Sequence, residues 1–101
     1  HQGIDIAAET GTPVVSAADG QVLQSGWSEG YGYIVHIDHG SGLTTVYGHN
    51  SSLVVRTGEN VRMGQIIAFA GSTGRSTGPH LHYEIRISNT AVDPWTYLVA
   101  Y

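Results

Sequence analysis

The residues of this sequence that are best suited to chemistry are its histidines, and the spacing of two of them is informative. Six histidines occur among the 101 residues, and His80 and His82 flank Leu81. In a β-strand, residues two apart face the same side and lie about 6.6 Å apart along the chain. We therefore expect both imidazoles to project into one site, where one could bind a metal ion while its neighbour stands over a bound water molecule. The alternate residues, Leu81, Tyr83 and Ile85, would then face the core.

A second pair, His1 and Asp5, could add ligands to that site. On a straight strand these residues would lie about 13 Å apart, but Gly3 lies between them and permits a bend that would bring them together. Two histidines and one aspartate are nitrogen and oxygen ligands suited to zinc, and three protein ligands with an open water position are typical of catalytic zinc sites. The chain has no cysteine, so no thiolate can bind metal or attack a substrate.

The elements that must position these residues are short β-strands. Runs rich in Val, Ile, Thr and Tyr alternate with clusters of Gly, Asn, Asp and Ser, which is typical of an all-β domain. No segment of ten or more residues shows a sustained helical period. The pattern predicts a predominantly antiparallel sheet with strands at Pro13–Ala17, Gln21–Ser25, Tyr33–Asp38, Leu43–His49, Gln65–Ala70 and His80–Ser88.

The connections follow from turn residues. Asp19-Gly20 is expected to close the first hairpin, with Gly20 supplying a positive φ, and residues 39–42 are expected to close the second. Residues 71–79 form a long glycine-rich loop before the last major strand. The one helical candidate is the terminal Asp93-Pro94-Trp95, in which Asp93 would be the N-cap and Pro94 the first helical residue.

Length and charge narrow the classes of function. A chain of 101 residues is one domain at most, and we expect residues 1–101 to be one domain cut from a longer precursor. The net charge of −4 and the absence of lysine argue against a nucleic-acid partner. No run approaches the roughly 20 apolar residues needed to cross a bilayer.

Taken together, the histidines and the segments around them resemble one family, the lysostaphin-like (LytM-type) zinc endopeptidases of peptidase family M23. The resemblance covers essentially the whole chain in the family's order. Its segments are residues 1–7 (HQGIDIA), 11–14 (GTPV), 47–49 (YGH), 61–65 (VRMGQ), 78–84 (GPHLHYE) and 92–94 (VDP).

The resemblance implies a site and a reaction. His1, Asp5 and His82 would bind one zinc ion, and His49 and His80 would be the unligated catalytic histidines. Zinc would lower the pKa of its bound water towards about 7, so that a zinc-bound hydroxide hydrolyses peptide bonds of bacterial peptidoglycan, in cross-bridges or stem-peptide cross-links. An imidazole can take the proton and return it to the leaving amine. The resemblance also implies a barrel-sandwich-hybrid-like fold with an open groove, and an extracytoplasmic location.

Two other functions compete with this one. A regulatory domain of the same fold, which activates or scaffolds cell-wall hydrolases, would be expected to lack some of the five residues, and here all five positions are filled. Residues 57–67 resemble a hairpin of biotinyl and lipoyl carriers. Those carriers attach their prosthetic group to a lysine, and the chain has none, so this function is excluded.

Several side chains allow two interpretations. Glu84, which shares a strand face with His80, His82 and Arg86, either orients a ligand imidazole or forms a cross-strand ion pair. Tyr47 shares the predicted face of Thr45 and His49, and either lines the groove or packs in the core. His36 and His39 are expected to be structural or solvent-facing. The aromatic residues Trp27, Tyr31 and Tyr33 belong either to the core or its rim or to a substrate platform. The loop residues Arg75, Ser76 and Thr77 either line the groove or make no contact.

Overall fold

The fold is a single antiparallel sheet with a second, smaller layer packed on one face. A computed structural model describes residues 3–93. Its strands are β1 (Ile4–Ala7), β2 (Pro13–Val15), β3 (Gly20–Ser28), β4 (Gly32–Asp38), β5 (Leu43–Leu53), β6 (Asn60–Val61), β7 (Ile66–Ala70), β8 (His80–Ile87) and β9 (Thr90–Val92). The all-β, antiparallel class predicted from the sequence is confirmed, and the sheet is not closed into a barrel.

The order of the strands explains how the sheet makes two layers. The main layer runs β1-β8-β5-β4-β3-β6, with β9 on the outside of β8 and with β2 and β7 paired to each other. The long strand β5 belongs to both layers, because residues 43–48 pair with β8 and residues 50–53 pair with β7. The change of partner falls at His49, whose φ of 64° lies in the left-handed region that few non-glycine residues adopt.

The core lies between the two layers. Alternate residues of strands from both layers are fully buried there, among them Val35, Ile37, Tyr47 and Ile67. Tyr83 and Ile85 of β8 join the same cluster, with Leu81 partly buried against it, so the predicted division of this strand into two faces is confirmed. Because one face of the main layer is covered, the other face is left for the polar residues of a site.

The first predicted hairpin is wrong. Strand β2 pairs with β7, and β3 pairs with β4 and β6, so Asp19-Gly20 does not join two paired strands. The glycine is needed for a different reason. A Cβ at Gly20 would lie 2.8 Å from the Ile37 Cγ2 and would also meet the Asp38 carbonyl oxygen. The glycine therefore serves a close approach of two strands and not a turn.

Other boundaries differ by smaller amounts. The turn at residues 39–42 does join two paired strands, β4 and β5, as expected. The predicted strands missed β1, β6 and β9, which are two to four residues long and too short to show a period. The predicted helical turn at Asp93–Trp95 lies outside the described residues apart from Asp93. Within residues 3–93, no helix is long and apolar enough to cross a membrane.

Neighbouring isoleucines on β7 provide a test of this two-layer arrangement. Ile67 is fully buried, whereas Ile66 is 43% exposed on the opposite face. We expect Ile67→Ala to lower the free energy of unfolding by about 2–5 kcal/mol, because it leaves a cavity between the layers. The matched variant Ile66→Ala should cost less than about 1 kcal/mol. Urea unfolding measures both, and equal losses would contradict the assigned faces.

Candidate functional site

Strands β1 and β8 bring three of the predicted site residues together. Asp5 is paired with His82, and Ala7 with His80, in an antiparallel register. The His82 Nδ1 lies 2.9 Å from the Asp5 Oδ1, and the His80 Nε2 lies 3.5 Å from the same oxygen. The two imidazoles therefore face one site, as their spacing predicted, with the carboxylate of Asp5 between them.

His49 reaches the same site from β5. Its ring centroid lies 4.8 Å from that of His80 and 5.9 Å from that of His82. Gly48 is the residue paired with His82, so regular alternation would turn the next side chain to the opposite face. The positive φ of His49 breaks this alternation, and its backbone N–H donates to the Tyr31 carbonyl at 2.7 Å. Local backbone strain therefore carries this imidazole into the site.

The same break corrects the interpretation of Tyr47. This residue does not line the groove, because its side chain is 1% exposed and its hydroxyl accepts a hydrogen bond from the Ala17 N–H. The hydroxyl also bonds to Thr45. The shared face predicted for Tyr47 and Thr45 is confirmed, but it is the core face, and His49 does not belong to it. Burial raises the pKa of Tyr47, so the phenol stays neutral.

Two backbone carbonyls fix the ring protons of His49 and His80. The Nδ1 of His49 lies 2.7 Å from the Thr73 carbonyl oxygen, and the Nδ1 of His80 lies 2.8 Å from the Gly78 carbonyl oxygen. A carbonyl oxygen can only accept, so each Nδ1 carries the proton. In the neutral rings each Nε2 then holds the lone pair, and the Nε2 of His80 lies 3.5 Å from the Asp5 Oδ1. Burial lowers the pKa of His49, which favours its neutral form.

His82 is held in the opposite sense by a buried carboxylate. Its Nε2 lies 2.8 Å from the Glu84 Oε2, which leaves the Nδ1 directed at Asp5. Glu84 also accepts hydrogen bonds from the Tyr31 hydroxyl at 2.6 Å and from the Arg86 Nε at 2.9 Å. Burial opposes its ionisation, but these three hydrogen bonds and the Arg86 charge lower the pKa of Glu84 to about 2. The hydrogen bond to Glu84 raises the pKa of His82, against the effect of burial.

Some of these partners follow from the sequence and others do not. Residues 80, 82, 84 and 86 share one strand face, so alternation alone suggests that Glu84 and Arg86 lie beside the histidines. Tyr31 is separated from Glu84 by 53 residues, and no local pattern predicts that contact. Of the loop residues expected in the groove, Ser76 reaches the site, with its hydroxyl 3.3 Å from the His80 Nδ1.

The remaining histidines and exposed aromatics have other surroundings. The His36 Nε2 lies 3.0 Å from the Thr44 hydroxyl. His39 joins the Asp19 carbonyl to the Thr45 hydroxyl through its two ring nitrogens, so both histidines have structural contacts, as expected. Trp27 is 60% exposed and packs edge to face on Tyr33, and neither ring lies in the core.

An open recess adjoins the site at His80. It has a volume of about 450 Å³ and is lined by Ala7, Ala8, Glu9, Thr10 and Pro79. Pro79 precedes His80 in the chain, and Ala7 is paired with His80. The walls are mostly small and apolar.

The donors that face Asp5 fit a zinc ion in their chemistry. Asp5 supplies a carboxylate oxygen and His82 supplies an imidazole nitrogen. The Asp5 Oδ1 and the His82 Nδ1 lie close enough to share one ion. His1, the third predicted ligand, lies outside the described residues. Among residues 3–93, no group of three or more such side chains is placed to hold a metal ion. A Cβ at Gly3, the residue before β1, would lie 2.8 Å from the Glu84 Cγ.

Comparisons with known proteins identify the family. The family described as Peptidase family M23 matches residues 1–94. The chain belongs to peptidase family M23, and the resemblance found in the sequence is confirmed. The fold is similar to that of the catalytic domain of the antimicrobial peptidase lysostaphin from Staphylococcus simulans, with a TM-score of 0.92, 38% identity, and coverage of 97% of this chain and 78% of that one.

Two curated relatives show how widely the domain is used. The DD-carboxypeptidase/endopeptidase Mpg of Neisseria meningitidis is 53% identical over 94 residues, which are 93% of this chain and 22% of the relative. The murein hydrolase activator EnvC of Escherichia coli is 43% identical over 97 residues, which are 96% of this chain and 23% of the relative. The chain thus spans under a quarter of the length of either relative.

The buried carboxylate leads to a prediction about stability and pH. Because the folded pKa of Glu84 lies at about 2 and the ordinary value is 4.5, its charge contributes stability that is present above pH 4.5 and is lost as the pH falls towards 2. The difference corresponds to roughly 3 kcal/mol. We expect Glu84→Gln to lower the free energy of unfolding at pH 7 by an amount of that order, and to flatten its pH dependence below 4.5.

Urea unfolding of chelator-treated protein at pH 7 and pH 3 measures this effect. The control is Glu29→Gln, which removes the same charge from an exposed position. Equal changes of the unfolding free energy in Glu84→Gln and Glu29→Gln at both pH values would contradict the assignment of Glu84 as buried and ionised.

Proposed function

We propose that this domain, residues 1–101, is a zinc-dependent endopeptidase that hydrolyses peptide bonds in bacterial peptidoglycan, in cross-bridges or stem-peptide cross-links. The observation that carries the proposal is the convergence of Asp5, His49, His80 and His82. The carbonyl contacts of Nδ1 leave the lone pairs of the neutral His49 and His80 rings on Nε2. Membership of peptidase family M23 supports the reaction class. The peptidoglycan substrate would place the domain outside the cytoplasm.

In the proposed site, His1, Asp5 and His82 hold one zinc ion. Zinc, when bound, supplies Lewis-acid chemistry that lowers the pKa of a water molecule and polarises a carbonyl group. The hydrogen bond from the His82 Nε2 to Glu84 fixes which ring nitrogen faces Asp5. Carboxylate partners of this kind orient the imidazole of metal sites.

The unligated histidines would move the proton. Each neutral ring holds its lone pair on Nε2, so either ring can accept a proton from the attacking water as the new C–O bond forms, and can return it to the leaving amine as the C–N bond breaks. While protonated, the ring adds a positive charge beside the oxyanion of the tetrahedral intermediate. The hydrogen bonds to the Thr73 and Gly78 carbonyls keep both rings oriented throughout.

A regulatory role is the second candidate. The similarity to the activator EnvC supports it, since that relative is named for activating a murein hydrolase and not for hydrolysis. Against it, all five positions proposed for metal binding and catalysis hold residues suited to those roles in this chain. We therefore favour the enzyme.

Metal content and hydrolysis distinguish the two functions. We expect one zinc per chain by elemental analysis, and release of new amines from purified peptidoglycan that a chelator abolishes and added zinc restores. Zinc without any release would favour the regulatory role. Absence of zinc from freshly purified protein would contradict the ligand set.

Histidine variants test the separate roles. We expect His82→Ala to lose zinc, because it removes a ligand. By contrast, His80→Ala and His49→Ala should keep zinc and lose hydrolysis by a factor of about 10² or more, in line with the loss of a general acid–base group. The matched control is His36→Ala, which removes an imidazole from the same sheet and should keep both zinc and activity. An active His80→Ala enzyme would refute the role given to that residue.

A further inference from the structure

We propose that Gly32 and Thr73 are positioning residues for catalysis. Their contact holds the loop of residues 71–79 in the place where two of its carbonyls fix the ring protons of His49 and His80. The inference rests on the proposed function, because it says what keeps on Nε2 the lone pairs that the reaction would use.

Both carbonyls belong to the loop of residues 71–79. The Thr73 carbonyl accepts from the His49 Nδ1 at 2.7 Å and the Gly78 carbonyl from the His80 Nδ1 at 2.8 Å. The Ser76 hydroxyl donates to the Gly78 carbonyl at 2.7 Å and so steadies that end of the loop. A displacement of this one segment would therefore release both imidazoles together.

The Thr73 hydroxyl anchors the loop to two strands. It donates to the Asn50 carbonyl of β5 at 2.5 Å and accepts from the Tyr33 N–H of β4 at 3.1 Å. The residue thus uses its hydroxyl to hold the loop and its carbonyl to hold His49. A side chain of the same shape without the hydroxyl would lose both anchoring bonds.

Gly32 allows the loop to come this close. A Cβ there would lie 2.6 Å from the Gly74 nitrogen and would also meet the Thr73 carbonyl carbon. In the reverse direction, a Cβ at Gly74 would lie 2.7 Å from the Gly32 Cα. Two backbones pack directly on each other, and only glycine at both positions permits this approach. The adjoining Tyr31 carbonyl accepts the His49 N–H, so the same turn also holds the backbone of that histidine.

The consequence is a defined proton position on each ring. Without an acceptor at Nδ1, a neutral imidazole can carry its proton on either nitrogen. Part of the population then has a protonated Nε2 and no lone pair to accept a proton. The hydrogen bonds of His82 to Asp5 and to Glu84 use no atom of this loop. We therefore expect zinc binding to be kept while turnover falls.

The test compares Gly32→Ala with Gly30→Ala. Both glycines have a positive φ, 70° and 84°, so alanine introduces left-handed strain at each position. A Cβ at Gly30 has nothing within 4 Å, and the Arg75 N–H bond to its carbonyl uses only backbone atoms. The two variants therefore differ in whether the loop is displaced.

Three measurements are made on each zinc-loaded protein: zinc content, kcat and KM on soluble peptidoglycan fragments, and ring ¹⁵N shifts from long-range ¹H–¹⁵N spectra. We expect Gly32→Ala to keep zinc, to lose at least about tenfold in kcat with little change in KM, and to show averaged Nδ1 and Nε2 shifts for His49. Gly30→Ala should match the wild type in all three. Wild-type ring shifts in Gly32→Ala, or equal losses in both variants, would overturn the inference.

A second pair keeps the test valid if Gly32→Ala does not fold. Thr73→Val removes the anchoring hydroxyl and should change the His49 shifts and kcat, whereas Thr73→Ser keeps the hydroxyl and should restore both. Wild-type ring shifts in Thr73→Val would overturn the inference. The NMR result also separates the two proposals. If the wild-type protein hydrolyses nothing but its ring protons still depend on Thr73, the proposed function fails, and only the placement of the ring protons by the loop stands.

Discussion

The site depends on one buried ionic interaction, the set of hydrogen bonds around the Glu84 carboxylate. A carboxylate in a protein interior is costly unless it is fully paired, and Glu84 is fully buried. Its partners come from three places in the chain: His82 two residues before it, Arg86 two residues after it, and Tyr31 from the turn between β3 and β4. Satisfying this charge therefore fixes the turn against β8, and it is the same turn that meets the 71–79 loop.

The three imidazoles of the site are distinguished by the kind of acceptor each one has. His49 and His80 donate from Nδ1 to neutral carbonyls, which leaves the lone pair of a neutral ring on Nε2. His82 donates from Nε2 to a charged carboxylate, which makes Nδ1 more electron-rich and suits it to a cation. Under the proposed function, the difference between an acid–base histidine and a ligand histidine would lie in the partner of the second nitrogen of each ring. It does not require different ring chemistry.

Much of the sheet and part of the site could be predicted from the sequence. Alternation along β8 gave the shared face of His80 and His82 and the core face of Tyr83, because an eight-residue strand is long enough to show its period. Alternation could not show whether Asp19-Gly20 closes a hairpin, since the same dipeptide suits a turn and a close approach of two strands. Likewise, the direction of His49 depends on one left-handed residue, and the Tyr31 contact depends on packing between distant segments. Local pattern carries neither piece of information.

The left-handed backbone at His49 also has a consequence for how this domain can change. Glycine adopts a positive φ more readily than histidine, so a glycine would relieve strain at this position while removing the imidazole. Under the proposed function, selection for activity and selection for stability would therefore oppose each other at this one residue. In a descendant that no longer needs catalysis, replacing His49 by glycine would raise stability. Losing Glu84 would lower stability, because its buried partners would be left unpaired. Such a descendant would keep its fold and its carboxylate after its chemistry had gone.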